Sequence, residues 1–183
     1  MRVTQEKRAE NRQKILESAG RLFRRDGPDA IGVADVTREA GLTHGGFYGH
    51  FESKEALFAA AAKASLIAAA ERIETAAAKG ASWAQVVKGY LAPQHLDDCE
   101  HGCTIAALSG DVSRRPAEVQ TAFAEGLSAY LATIGDVTGS RQQALADTAT
   151  MVGALVMARA VKSGDRRLCD EILAAARTQL LSR

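Results

Sequence analysis

Aromatic side chains are scarce in this chain, only 5% of 183 residues, and no run of alternating β-branched residues stands between turn signals. Without such runs a sheet has no strands to build from. In their place are 36 alanines within a hydrophobic fraction of 46%, which suits helices packed closely through small side chains. An all-α fold is expected, from a chain long enough to bury a proper core. An excess of one charge is missing too: 23 Lys and Arg stand against 22 Asp and Glu, with ten basic and nine acidic residues within 1–56. Any basic surface must therefore come from local placement. Three cysteines without framework spacing fit a reducing, cytoplasmic setting. The opening "MRVTQEKRAENRQK" lacks an apolar signal core, and runs such as "ALFAAAA" fall short of the roughly 20 residues that span a bilayer. No membrane partner is expected. Nucleophile elbow, Walker loop, dinucleotide fingerprint and paired-carboxylate motifs are also lacking, so neither catalysis nor a cofactor is expected.

What is present is helical punctuation. Ile15, Leu16, Ala19, Leu22 and Phe23 form one stripe of a helix over 6–25 that "DGP" stops. A short helix over 33–40 follows, ended by Gly41, and Thr43 is placed to cap another reaching about Phe51. Ser53 opens a long helix towards Lys79, and Gly80 breaks it. "SWAQVVKGYLA" predicts a helix closed by Pro93, and "PQHLDDCEHG" reads as a loop. Short and longer helices are expected over 104–108 and 116–134, with "GDVTGS" as the next break. Ser140 and Asp165 cap the last two helices, to about Lys162 and Leu181. The expected division falls after Ser53: residues 1–53 as a small N-terminal domain, and 54–183 as a larger helical body.

The stretch "GLTHGGFYGHFESKEAL", Gly41 to Leu57, departs from the alanine-rich pattern. Each glycine inside a helix costs about 1 kcal/mol against alanine, so Gly45, Gly46 and Gly49 require an offset from elsewhere. Two short helices joined by a glycine-containing turn make a helix-turn-helix, whose second helix enters the major groove of DNA. Small residues at Gly45 and Gly46 would let the backbone approach bases or phosphates with no Cβ in the way. Phe47 and Phe51, four apart, can pack inward. Thr43, His44, Tyr48, His50 and Lys54 remain as candidate DNA contacts, mainly to phosphate oxygens, with Arg2, Lys7 or Arg8 as possible additions from the N-terminal arm. No arginine stands at the helix start, so bidentate guanine reading is not available there.

"VADVTREAGLTHGGFYGHFESKEAL" resembles the helix-turn-helix signature of the TetR family of bacterial transcriptional regulators: an Ala-Gly turn, a Thr at the cap, a Tyr-x-His-Phe run and a following Lys. Gly32 departs from that pattern where Ser or Thr usually caps, and Thr37 where alanine is usual. The resemblance implies a three-helix DNA-binding domain on a ligand-binding, dimerising helical body. It further implies a repressor of a double-stranded DNA operator, released by a small-molecule effector.

Two other features carry chemistry. "HLDDCEHGC" gathers His95, Asp97, Asp98, Cys99, His101 and Cys103, which could hold a soft metal or make Cys103 a reactive thiol tuned by His101. A helical metal- or thiol-chemistry protein is therefore the alternative function, beside a plain solvated loop. Trp83, Tyr90, Cys103, Phe123 and Tyr130 are candidate lining for an effector pocket. "MVGALVMARAV" is apolar nearly all round, more than one buried face needs. Met151, Val152, Leu155, Val156, Ile172, Ala176 and Leu180 are therefore expected at a homodimer interface.

Overall fold

The computed structural model describes residues 5–182, and the side chains of His44 and Gly45 lie outside that description. Arg2, a candidate duplex contact, falls outside it as well. Among the described residues there are helices and no strands. In chain order they are α1 (Gln5–Asp26), α2 (Val33–Glu39), α3 (His44–Phe47), α4 (Lys54–Ala78), α5 (Trp83–Tyr90), α6 (Pro93–Asp97), α7 (Thr104–Val112), α8 (Ala117–Thr138), α9 (Arg141–Val161) and α10 (Arg166–Leu181).

Side-chain caps set four of the helix starts. The hydroxyls of Ser53, Ser82 and Ser140 accept from the backbone N–H of Ala56, Gln85 and Gln143, and the Asp165 carboxylate accepts from Leu168. Each satisfies one of the N–H groups a helix start leaves orphaned. Three segments depart from the sequence reading. Pro93 does close α5, but it also occupies the first turn of α6, where its missing N–H does no harm; 93–97 is therefore helical. "GDVT" continues α8, which ends only where Gly139 turns left-handed at φ +85°. And α3 is a single turn rather than a helix to Phe51, as three glycines in five positions would make it.

The core forms two hydrophobic clusters. One runs without interruption from Ile15, Phe23, Val36 and Phe47 through Phe58 and Leu66 to Phe123, Tyr130 and Ile134. It crosses the 53/54 position, because α4 packs on α1 at its start and on α8 along its length. Phe23 and Phe58 meet edge to face at 5.3 Å. Close approach at these crossings depends on two glycines. A Cβ on Gly20 would lie 2.6 Å from Ser65 Oγ, and one on Gly126 would lie 3.1 Å from the Cα and carbonyl oxygen of Lys63.

The second cluster joins Val87, Leu91 and Leu96 of the α5–α6 region to Met151, Leu155, Cys169, Leu173 and Leu180 of α9 and α10. Four residues expected at a dimer interface thus belong to the chain's own interior: Met151, Leu155, Ala176 and Leu180 are each at most 8% exposed. The reason is that α5 and α6 cover one flank of the α9–α10 pair. Helix α9 has the length and hydropathy that a membrane span would also show, contrary to the reading that every apolar run is too short. Here it packs against α7, α8 and α10, with Asp147 buried along it.

Candidate nucleic-acid interface

The turn before α3 is closed by backbone geometry. Gly41 adopts φ +68°, its N–H donates to the Arg38 carbonyl, and Leu42 N–H donates back to Thr37 at 2.8 Å. This is the double hydrogen bond that ends helices through a left-handed residue. Thr37 is buried where alanine would fit, and its hydroxyl is satisfied by the Ala34 carbonyl. At the other end of α2, Gly32 offers no capping side chain. Asp35 compensates, its carboxylate accepting from Gly32 N–H at 2.9 Å. That bond, and then Arg38, hold the Asp35 carboxyl below its usual range. Thr43 stands at the start of α3 in extended conformation, but its hydroxyl makes no capping bond, so the expected side-chain cap is not formed.

Phe47 and Phe51 anchor the segment. They are buried, their ring centres 5.7 Å apart and their planes inclined by 30°, and the Arg12 guanidinium lies 4.5 Å from the centre of the Phe51 ring. Tyr48 is 61% exposed, with its ring edge-on to Phe47. Thr43, Gly46 and Gly49 are exposed, while His50 and Lys54 are half-buried. The His44 side chain, the expected base reader, lies outside the described residues. Arg8 was a candidate for the duplex; instead it donates to the Gly49 carbonyl at 2.6 Å. Lys7 is paired with Glu10. Burial first, then the charges of Arg8 and Arg12, push the His50 imidazole below its ordinary pKa, so it is neutral near neutral pH.

Gly46 and Gly49 are not demanded by the chain itself. Neither has a positive φ, and the nearest atoms a Cβ would meet lie at 3.7 and 3.6 Å, ordinary contact distances. The clamp of Arg8 and Arg12 was missed in the sequence. Its only signal is two arginines one helical turn apart on a charged face.

The other candidates separate. Tyr90, Cys103 and Tyr130 do come together, lining a recess of about 390 Å³ with Ile73, Val86 and His95. Trp83 lines a different recess, beside Glu74 and Asp136, and Phe123 is buried in the first core cluster. In the "HLDDCEHGC" segment, Cys103 N–H donates to His95 Nε2 at 3.0 Å, so the proton sits on Nδ1 and is donated to the Tyr90 carbonyl at 2.6 Å. His101 turns to Asp98 rather than to Cys103. Among the described residues no three His, Cys, Asp or Glu side chains converge to hold a metal ion. On α9 and α10, Val152 and Ile172 are half-buried and Val156 is exposed. Leu145, Met157 and Leu168 are exposed on the same two helices.

Fold and surface together define a helix-turn-helix protein set on a helical body. Residues 15–61 match the family model of bacterial regulatory proteins of the tetR family, and the N-terminal segment is of that family, as its motif led us to expect. The chain is 29% identical over 101 residues to an uncharacterized HTH-type transcriptional regulator, YfiR, of Bacillus subtilis, covering 55% of this chain and 46% of that protein. To the HTH-type transcriptional regulator AcrR of Shigella flexneri it is 39% identical over 57 residues, 31% of this chain and 26% of that one. The matches therefore span less than half the length of either relative. Among solved structures, reduced NemR of E. coli superposes with a TM-score of 0.74 at 22% identity, over 94% of this chain and 96% of that one. FadR of Bacillus subtilis in complex with stearoyl-CoA gives 0.60 at 16%, over 91% and 97%. Both share the fold.

Proposed function

We propose that the chain is a DNA-binding transcriptional regulator, a homodimeric repressor that a small-molecule effector releases from its operator. It acts in the cytoplasm without enzymatic activity or a membrane partner. Residues 1–53 are the DNA-binding unit, and 54–183 are the effector-binding and dimerisation body. The observation that carries this reading is a segment held firmly from behind and left open in front. Phe47 and Phe51 are locked into the core, while Gly46, Gly49 and Tyr48 face outward with nothing of the chain's own to explain the missing side chains. Thr43, His44, Gly45, Gly46, Tyr48, His50 and Lys54 meet the duplex, mostly through phosphates, which hold position without reading sequence.

The dimer is supported by where apolar surface remains. Of the five most exposed large hydrophobic side chains among the described residues, Leu145, Val156, Met157 and Leu168 lie on α9 and α10. Such a patch marks an interaction surface. Paired through it, two copies would present their α3 helices to successive major grooves, about 34 Å apart. The effector must favour the DNA-incompetent arrangement, since equal affinity for both shifts nothing. The FadR neighbour, solved with stearoyl-CoA, supports a ligand-responsive body.

Gel shifts against DNA flanking the protein's own gene test the reading. We expect a salt-sensitive, sequence-preferring complex that Tyr48→Ala or Lys54→Ala weakens by about tenfold on all sequences. Thermal stability should stay unchanged. Met157→Glu should turn a dimer into a monomer by light scattering and lose the shift. An unshifted probe across a selected operator pool would end this proposal. Among the described residues no ligand set converges to support the metal-chemistry alternative.

A further inference from the structure

The apolar recess beside Tyr90 and Tyr130 does not stand alone. A second recess of about 480 Å³ opens between α1, α4 and the turn before α7, and both are walled by Arg72, His101 and Gly102. The second recess is basic: Arg21 and Arg24 line it with Arg72, and its one acid, Glu17, is bonded to Gln13. Among the described residues Arg24 has no carboxylate within ion-pair distance. It donates to the Glu100 carbonyl at 2.8 Å and to Ser65 Oγ at 2.9 Å, while the Glu100 carboxylate is drawn to Arg21 and Arg25. Arg72 has neither a hydrogen bond nor an ion pair among those residues, and its field falls on Arg24 and on the Tyr130 hydroxyl. Burial and then Arg72 hold the Arg24 guanidinium below its usual range.

Two neighbouring guanidiniums without a shared counter-charge, one of them partly buried, are an unfavourable arrangement that an anion relieves. A third group is also unsatisfied. The buried Tyr90 hydroxyl has the Cys103 thiol beside it, a weak hydrogen-bonding partner, and makes no hydrogen bond of normal geometry among the described residues. The apolar recess therefore ends in a basic mouth and contains one hydrogen-bonding group awaiting a partner.

We propose that the two recesses form one site for an amphipathic organic anion. Its apolar body lies against Ile73, Val86, Tyr90 and Tyr130, and its carboxylate, sulfonate or phosphate sits at Arg72 and Arg24. This rests on the reading of the body as an effector-binding unit, and it adds a route of control. Arg24 belongs to α1, the helix whose Arg8 and Arg12 hold the α3 segment further along, so a headgroup competing with Glu100 and Ser65 for its guanidinium acts on a helix of the DNA-binding unit.

The test uses two dyes of one shape on the full chain at physiological ionic strength. 8-Anilinonaphthalene-1-sulfonate carries an anion, whereas N-phenyl-1-naphthylamine is its neutral counterpart. We expect the sulfonate to bind about tenfold more tightly, as a charge-assisted contact implies. Arg72→Met should remove that advantage and leave the neutral dye unaffected, and Arg72→Lys should restore part of it. Arg38→Met, at an exposed arginine on α2, should change neither. Equal affinity for the two dyes, or an unchanged sulfonate affinity in Arg72→Met, overturns the proposal. A gel shift without dye keeps the questions apart. DNA binding without charge selectivity sinks this inference alone, whereas charge selectivity without DNA binding sinks the regulator reading instead.

Discussion

The α4–α8 crossing and the α3 segment both contain glycines inside helices, and the comparison between them is instructive. At the crossing, the chain's own packing gives a reason for Gly126: a Cβ would lie 3.1 Å from Lys63 backbone atoms, a tighter contact than side chains ordinarily make. At α3, Gly46 meets nothing closer than 3.7 Å. The same residue with the same helical penalty is offset in one place by packing within the chain. In the other, buried Phe47 and Phe51 hold the turn in place, but nothing in the chain gives a reason for glycine rather than alanine at position 46. A glycine is informative about function when its own fold gives no reason for it.

Breaking the anchors should produce the largest effect. Phe47→Ala removes a fully buried ring that holds α3 on the core and should cost about 3–5 kcal/mol, read from urea unfolding. A loss under about 1 kcal/mol would mean that α3 is not held as described. Gly126→Ala comes next. Overpacking against the Lys63 backbone should destabilise by about 1–3 kcal/mol. Gly46→Ala should do the opposite, leaving stability equal or raising it by up to about 1 kcal/mol, while operator affinity falls about tenfold. If Gly46→Ala bound DNA normally, the contrast between the two glycines would lose its functional meaning.

The smallest effect is a pH dependence. Burial pushes the folded pKa of His95 below its ordinary value, and His50 likewise. The unfolded chain then takes up protons first, near pH 6.5, so stability is fully present above about pH 6.5 and declines as pH falls towards the lower folded values. Protonated His95 could no longer accept from Cys103 N–H. Urea midpoints between about pH 7.5 and 5.5 should fall with acidity, and His95→Ala should lose part of that slope. An identical slope in the variant would exclude His95 as a contributor.

Much of the fold was legible because helix ends are local events. Ser53, Ser82, Ser140 and Asp165 occupy the start positions, and Gly41, Gly80 and Gly139 turn left-handed at the stops. Thr43 was placed correctly but makes no side-chain cap, since a residue type permits a bond without requiring it. Pro93 misled because one proline both ends a helix and begins the next. In the candidate site, Phe47 and Phe51 inward and Tyr48 outward followed from spacing. The Arg8–Gly49 bond spans 41 positions and could not be read from spacing.

By itself, then, the amino-acid order determined an all-helical chain, the positions of its caps and stops, and the glycine-bearing turn that carries the family likeness. Each of these depends on interactions within a few residues. Only the tertiary structure decided which apolar stripe of α9 and α10 is interior, that Trp83 and Phe123 leave the recess of Tyr90 and Tyr130, and that Arg72 stands beside Arg24. Those outcomes depend on which helix covers which. An apolar face reads the same in sequence whether its neighbour is α5 or a second copy of the chain.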